Sequence, residues 1–296
     1  MDPRIQEIIC EDGVRLGGHW WPAGKSHSEG VVVINPATGV LARYYHRYAA
    51  FLAEHGFDVL TYDYRGIGLS RPADLKSLSS DWRCWGEKDF EAALGLALER
   101  ADGRPVSVVG HSIGGFLPGF ARSARHIHRM LTVGAQHAYW RDYRAGCRLR
   151  LLVKWHVVMP VATVFRGYFP GKRLGWLEDL PAGVAYGWSF GGREIDRRLC
   201  PSERQSLRAR FAALAAPILA IAASDDEFAT REAMERALGY YANAEATKVI
   251  LEPDDIGAER IGHFALFHDR HRADFWLDTL LWLRDGINPW PSRVIE

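Results

Sequence analysis

Cysteine and net charge are both scarce in this sequence. Four cysteines are spread over 296 residues without a C-x-x-C pair, which argues against a metal ribbon and against a disulfide-stapled scaffold. The formal net charge is +1, so composition gives no reason to expect nucleic acid or an anionic membrane as a partner. The longest apolar stretch, residues 151–165, is interrupted by Lys154, His156 and Pro160, so we predict no membrane span.

The remaining composition is that of a globular protein with a large core. Hydrophobic residues make up 48% of the chain and charged residues 25%. The length allows one large α/β domain with an insertion, or two ordinary domains. The first residues, MDPRIQEI, do not resemble a signal peptide, so we expect a reducing, cytoplasmic environment.

Strand-like and helix-like segments alternate along most of the chain, after an N-terminal hairpin with its turn at Glu11-Asp12-Gly13. This alternation predicts an α/β fold with a mostly parallel central sheet and helices on both faces. The predicted strands are 5–10, 14–21, 30–35, 57–62, 106–109, 130–135, 217–222 and 248–251, and the predicted helices are 43–55, 81–101, 202–214, 231–241 and 272–283.

The alternation stops between residues 137 and 203, where the sequence is aromatic, rich in arginine and interrupted by prolines. We predict an inserted helical cap at 137–203 and a core formed by 1–136 and 204–296. The cap could contribute a substrate pocket, its own core, or both. Its arginines could bind an acidic group, although a solvated helix face is the simpler interpretation; they include Arg141, Arg144, Arg148 and Arg150.

The strand at 106–109 leads into Gly110-His111-Ser112-Ile113-Gly114, a G-x-S-x-G pattern, and the residues beyond it can enter a helix. A serine on a sharp strand-to-helix turn presents its hydroxyl above the sheet, and glycines on both sides allow the turn to close. The pattern alone is weak, but its position after a strand favours Ser112 as a nucleophile. We expect His111 to point away and pack under the turn.

An acid and a base follow the serine in the chain. Asp225 and Asp226 lie just after the strand at 217–222, where catalytic groups of open α/β sheets gather. We favour Asp226 for its distance past the strand, while Asp225 or Glu227 would suit a helix N-terminus. The candidate base is His263, in a loop after the last predicted strand. With His268 and His271 it forms H-x4-H-x2-H, which fits no standard zinc pattern, so we predict no metal.

The order Ser112, Asp226, His263 is the order of α/β-hydrolases. The chain resembles an α/β-hydrolase with an inserted cap and is similar to the bacterial "predicted α/β hydrolase" group. The resemblance covers most of the chain from residue 30 to the last helix. It is carried by the segments TYDYRGIGLSRP, GHSIGG, GYFPGKRLG, EDLPAGV, SDDEFA and IGHFALF.

The resemblance implies acyl transfer through an acyl-enzyme, without a cofactor. Its oxyanion hole would use the backbone N–H of Ile113 and an N–H of the loop after residue 35. Many relatives carry His-Gly there, whereas this chain has Asn35-Pro36, and proline has no N–H. The second donor would therefore be Ala37, or Thr38 if the loop turns later.

The predicted function is a serine hydrolase acting on an ester, thioester or amide of an apolar or aromatic small molecule. An acyltransferase on the same triad and a non-catalytic ligand-binding protein remain alternatives. We expect Asp63 and Arg65 to be structural. A serine at the elbow argues against dehalogenase and epoxide hydrolase chemistry, which uses an aspartate there. The sequence leaves open whether the protein is a homodimer.

Overall fold

The computed structural model describes residues 2–24 and 27–296; Met1, Lys25 and Ser26 of the predicted core 1–136 lie outside the described residues. The described chain forms a nine-stranded sheet and a separate two-stranded ribbon. The strands in chain order are β1 Arg4–Ile9, β2 Arg15–Trp21, β3 Gly30–Asn35, β4 Phe57–Tyr62, β5 Val106–His111, β6 Arg129–Val133, β7 Tyr168–Phe169, β8 Leu180–Pro181, β9 Ile218–Ala223, β10 Ala246–Leu251 and β11 Val294–Ile295.

The large sheet has the order β1-β2-β4-β3-β5-β6-β9-β10-β11. Its six central strands, from β4 to β10, are mutually parallel, and β1, β2 and β11 pair antiparallel at the edges. β5 is buried along its whole length between β3 and β6, as its near-continuous apolar sequence requires. The predicted mostly parallel sheet is confirmed.

Helices cover both faces of the sheet. Tyr48 and Phe51 of α1 and Trp276 of α10 belong to the core on one face, whereas Leu94 of α3 and Phe211 of α8 belong to the core on the other. The helices are α1 His46–Glu54, α2 Trp82–Cys84, α3 Glu91–Ala101, α4 Arg148–Val153, α5 Met159–Arg166, α6 Gly171–Leu174, α7 Ala182–Ser189, α8 Pro201–Ala213, α9 Arg231–Leu238 and α10 Phe275–Asp285, with π-helical turns at Trp85–Phe90 and Lys154–Val158.

The segment after the predicted nucleophile differs from the expectation of a helix. It forms two 3-10 turns, Ser112–Gly115 and Leu117–Phe120. An α-helix would need an N–H at residue 118 to bond the carbonyl of Gly114, but Pro118 has none. The Gly114 carbonyl instead accepts a hydrogen bond from Asn35 Nδ2 at 3.2 Å. This hydrogen bond ties the turn after Ser112 to the last residue of β3.

Between β6 and β9 the chain adds no strand to the nine-stranded sheet. This interval contains α4 to α8 and the antiparallel ribbon β7–β8. We refer to residues 148–189, from α4 to α7, as the cover segment; the boundaries 137–203 of the predicted cap stay a prediction. In residues 2–24 and 27–296 we find no helix with both the length and the apolarity needed to cross a membrane.

Candidate active site

Ser112 lies at the point where β5 ends and the first 3-10 turn begins, with a φ of 56°. This left-handed conformation is rare for a residue with a side chain and indicates a strained turn. The flanking glycines allow the turn to close. A Cβ on Gly110 would lie 2.4 Å from the Cα of Gly115, and one on Gly114 would lie 2.3 Å from the carbonyl oxygen of Asn35. The geometry is that of a nucleophile elbow.

The Ser112 hydroxyl accepts a hydrogen bond from Gln136 Nε2 at 3.3 Å. Gln136 Oε1 in turn accepts from the backbone N–H of Ala138, another residue with a positive φ. Gln136 is not among the site residues predicted from the sequence. The available signal was its position, since a polar side chain just past the carboxyl end of β6 must lie beside the end of β5, the neighbouring strand.

The structure brings Asp226 and His263 together. Asp226 Oδ2 lies 2.7 Å from His263 Nδ1, and both side chains are buried. Because a carboxylate only accepts, Nδ1 donates, and a neutral imidazole then presents Nε2 as an acceptor. Burial would raise the pKa of Asp226, but the charge and hydrogen bond of His263 and the N–H groups of Ala229 and Phe228 hold this pKa below its usual value.

The neighbouring Asp225 has a different position. Its carboxylate accepts from the backbone N–H of Ile261 at 3.0 Å and of Gly262 at 2.7 Å. It therefore fixes the loop that carries His263 without contacting the ring. From the sequence, Asp226 was only preferred over Asp225. In the structure the two have different partners: Asp226 contacts the His263 ring, and Asp225 contacts the backbone before it.

Ser112 and His263 line one cavity of about 750 Å³. Across residues 2–24 and 27–296, the structure contains no hydrogen bond between Ser112 Oγ and the His263 ring. Catalytic hydrogen bonds often tighten only when substrate binds, so this separation leaves the pair a candidate. The other two histidines of the H-x4-H-x2-H pattern have different partners. The His268 ring packs edge-on against the Tyr44 ring, and His271 Nδ1 lies 3.2 Å from Asp274 Oδ1.

The predicted oxyanion donor Ala37 is at odds with the structure. Its N–H donates to the hydroxyl of Tyr45 at 3.0 Å and is therefore occupied. Thr38, the alternative that the sequence left open, lines the cavity together with Ser112, and its backbone N–H has no hydrogen-bond partner among the described residues. Ile113 directly follows the serine, and with Ser112 and Thr38 it lines a smaller adjoining cavity. Ile113 and Thr38 are the donors that the geometry favours.

A buried chain of hydrogen bonds runs beneath these groups. The Tyr45 hydroxyl lies 2.7 Å from His111 Nδ1, and His111 Nε2 lies 2.7 Å from the carbonyl oxygen of His263. The carbonyl can only accept, so Nε2 carries the proton and Nδ1 accepts from Tyr45. Burial, and then His263, lower the pKa of His111 to about 3, which favours this neutral form. The chain links the loop after β3, the elbow and the histidine loop.

Asp63 and Arg65 have structural contacts, as expected. Asp63 accepts from the backbone N–H groups of Ala42 and Leu69. Arg65 forms ion pairs with Asp89 at 2.6 Å and with Asp12 at 2.7 Å.

The cover segment supplies much of the cavity wall. Trp155, Trp176 and Trp188 contribute aromatic surface, and Phe228 and Phe264 add more from the core. The charged lining residues are Arg43, Arg150, Lys154, Glu178 and Glu227. The described residues contain no cluster of three or more histidine, cysteine, aspartate or glutamate side chains that could hold a metal ion.

The parallel sheet, the elbow and the Asp226–His263 pair are the features of an α/β-hydrolase. Comparison with known proteins agrees: residues 26–173, half of the chain, match the family "Serine aminopeptidase, S33". The chain belongs to this family. The predicted class of enzyme, an α/β-hydrolase, is thereby confirmed.

Individual relatives are distant. A curated monoglyceride lipase of Saccharomyces cerevisiae is 26% identical over 106 residues, a match that spans 35% of this chain and only 34% of the yeast protein. A crystal structure of a soluble variant of that lipase with a substrate analog is 16% identical, with a TM-score of 0.67 over 96% of this chain and 94% of the other. An esterase from Exiguobacterium antarcticum is 16% identical, with a TM-score of 0.57 over 95% and 99%. These solved structures support the fold.

Proposed function

We propose that this protein is a serine hydrolase that cleaves an ester, thioester or amide of an apolar or aromatic small molecule through an acyl-enzyme. Ser112 is the nucleophile, His263 the base and Asp226 the group that orients it. The observation that carries the proposal is the 2.7 Å contact between Asp226 and His263 beside a cavity that is also lined by Ser112 in its strained conformation.

In the first half-reaction, Ser112 Oγ attacks the substrate carbonyl while His263 Nε2 takes its proton. The tetrahedral intermediate collapses when His263 gives that proton to the leaving group, which departs and leaves the acyl group on Ser112. Gln136 Nε2 donates to Oγ, so the O–H of Ser112 is not used in that bond and stays free to donate to His263. Asp226 stabilises the imidazolium that forms.

The developing oxyanion is held by the backbone N–H groups of Ile113 and Thr38, each contributing about 3 kcal/mol to transition-state stabilisation by analogy with other oxyanion holes. In the second half-reaction, water gives a proton to His263 and attacks the acyl carbon. The acid is released, and the proton returns from His263 to Ser112 Oγ.

Esters are the bond type that we favour. The relatives include a monoglyceride lipase and an esterase, and the tryptophan-lined cavity suits an apolar or aromatic group. We propose that the cover segment acts as the cap of the site. We also propose a cytoplasmic location, because all four cysteines are free thiols.

The test is the intact mass of the protein after treatment with a fluorophosphonate probe. We expect one adduct in the wild type and none in Ser112→Ala. The control Ser77→Ala, which changes an exposed serine bonded to the carbonyl of Asp74, should keep the adduct. An unlabelled wild type that is folded would overturn the triad mechanism and favour a binding protein.

A second measurement separates hydrolysis from acyl transfer. A panel of acyl esters and thioesters is assayed with and without added alcohols and amines, and products are identified by mass. Free acid as the main product in the presence of acceptors supports the hydrolase. A dominant transfer product would convert the proposal to an acyltransferase on the same residues.

A further inference from the structure

Some of the charged side chains that line the 750 Å³ cavity have an ion-pair partner, and others have none. Of its five charged lining residues, two are acids, and both already have cationic partners. Glu178 pairs with Lys172 at 2.7 Å, and Glu227 pairs with Arg150 at 2.6 Å. The remaining two, Arg43 and Lys154, have no carboxylate within 4.0 Å among the residues that the structure describes. The cavity therefore presents two cations without an ion-pair partner, of which Arg43 is exposed and Lys154 half-buried.

Lys154 is held in place by aromatic rings. Its Nζ lies 4.5 Å from the ring centroid of Trp155 and 4.4 Å from that of Trp176. The rings attract the ammonium but do not replace conventional oxygen acceptors for its three N–H donors. Burial, together with the nearby Arg150, lowers the pKa of Lys154, although Glu227 opposes this effect. The charge is thus fixed against the wall, and an anion entering the cavity would compensate it.

Arg43 and Lys154 belong to different parts of the chain. Arg43 lies in the 3-10 turn Ala42–Tyr45 that follows the loop after β3, and Lys154 lies in the cover segment. Both line the cavity that contains Ser112. A guanidinium matches a carboxylate with two parallel hydrogen bonds, and an ammonium adds a mobile point charge.

We propose that Arg43 and Lys154 form a subsite for a carboxylate, so that the preferred substrate has an apolar or aromatic body carrying a carboxylate besides the bond that is cleaved. This inference rests on the proposed function and specifies its substrate class. The aromatic wall would bind the body, and the two cations would bind the acidic end.

The test compares substrates that differ only in charge. One pair places the group on the leaving side, 3-acetoxybenzoate against 3-acetoxybenzamide. The other places it on the acyl side, the monomethyl ester of terephthalic acid against methyl 4-carbamoylbenzoate. Each pair gives a ratio of kcat/KM values, anionic over neutral, in the wild type, Lys154→Met, Arg43→Gln and Arg166→Gln. Arg166 is the matched control, an exposed arginine at the end of α5 that does not line the cavity.

We expect the ratio in at least one pair to fall about tenfold in Lys154→Met and in Arg43→Gln and to stay unchanged in Arg166→Gln, because each of the first two substitutions removes a charge-assisted hydrogen bond to the carboxylate of the anionic substrate. Intrinsic differences in ester reactivity cancel when variants are compared. Methionine keeps the packing against the tryptophans while removing the charge. Equal ratios in all four proteins for both pairs would overturn the subsite.

The same variants can be tested without turnover. Calorimetry on Ser112→Ala with 3-acetoxybenzoate and 3-acetoxybenzamide measures the subsite whether or not Ser112 reacts. Anion-selective binding that is lost with Lys154→Met supports the subsite even if the fluorophosphonate test fails. Labelled Ser112 with no charge selectivity in either assay would overturn the subsite and leave the proposed function standing.

Discussion

The floor and the cover of the cavity are built differently. In the floor, Ser112, Asp226 and His111 are buried, and their polar atoms have partners on neighbouring loops. The cover segment instead exposes apolar side chains, with Val161 51% and Phe165 83% accessible. A packed, hydrogen-bonded floor suits a reaction that needs fixed atoms. The cover segment supplies the tryptophans of the cavity wall, so we expect substitutions there to change which substrates bind and to leave the reacting atoms in place.

The largest effect should come from the acid of the floor. Asp226→Asn should lower kcat about 10⁴-fold, because the amide would favour the wrong tautomer of His263. Asp225→Asn is the matched control and should lower kcat by less than about tenfold, since it weakens only hydrogen bonds to the loop. Steady-state hydrolysis of one aryl ester measures both variants. Equal losses would show that the preference between the aspartates is mistaken.

The next largest effect concerns a glycine of the elbow. Gly114→Ala should lower the free energy of unfolding by about 3 kcal/mol or more, because its Cβ would meet backbone atoms that cannot move aside. Gly146→Ala, at an exposed position just before the cover segment with nothing within 4 Å of an added Cβ, should stay within about 0.5 kcal/mol of the wild type. Urea unfolding measures both, and a Gly114 variant of normal stability would contradict the elbow geometry.

The sequence could predict those site residues that belong to local motifs, but not those whose role depends on contacts between distant segments. Ser112 and Asp226 could be proposed from the sequence because local patterns place each of them just past the carboxyl end of a strand, and His263 could be proposed because it lies in the loop after the next strand. Ala37 is not the donor that the geometry favours, because its N–H already donates to the hydroxyl of Tyr45, eight residues later, and the local sequence gives no sign of that hydrogen bond. Gln136 belongs to no motif, and its role depends on β6 lying beside β5.

The fold was predictable where segments are long and apolar. The parallel strands follow from their composition, whereas β11 has only two residues and pairs with β10 through tertiary contact. In the cover segment, aromatic residues indicated burial but not which of them face the cavity. That assignment depends on helix packing, which has no short sequence signature.

The buried chain under the elbow should give a moderate effect. Tyr45→Phe removes the hydroxyl and leaves the Ala37 N–H and His111 Nδ1 without a partner. We expect kcat to fall about tenfold with little change in KM, and stability to fall by about 1–3 kcal/mol. Tyr186→Phe in the cover segment should leave both quantities near wild type. An active, fully stable Tyr45 variant would contradict the positioning role.

The smallest effect concerns pH and again contrasts floor with cover. The pKa of His111 is about 3 in the folded protein, against an ordinary value of 6.5, because burial disfavours its charge. Between these values the unfolded chain holds a proton that the folded protein lacks. The contribution of His111 to stability is therefore greatest above pH 6.5 and falls on acidification, with a slope of up to about 1.4 kcal/mol per pH unit. Other buried histidines add to the slope in every variant.

The contribution of His111 can be isolated by substitution. His111→Gln keeps a donor for the His263 carbonyl but removes the titrating group, so unfolding free energies measured from pH 4.5 to 7.5 should depend less steeply on pH than in the wild type. His156→Gln in the cover segment should change the slope less. Burial lowers the pKa of His156, but its hydrogen bond to the Ser189 carbonyl raises this pKa and offsets part of the effect. Equal slopes in His111→Gln and the wild type would mean that His111 accepts a proton in the fold, and the assigned direction of the hydrogen-bond chain would then be wrong.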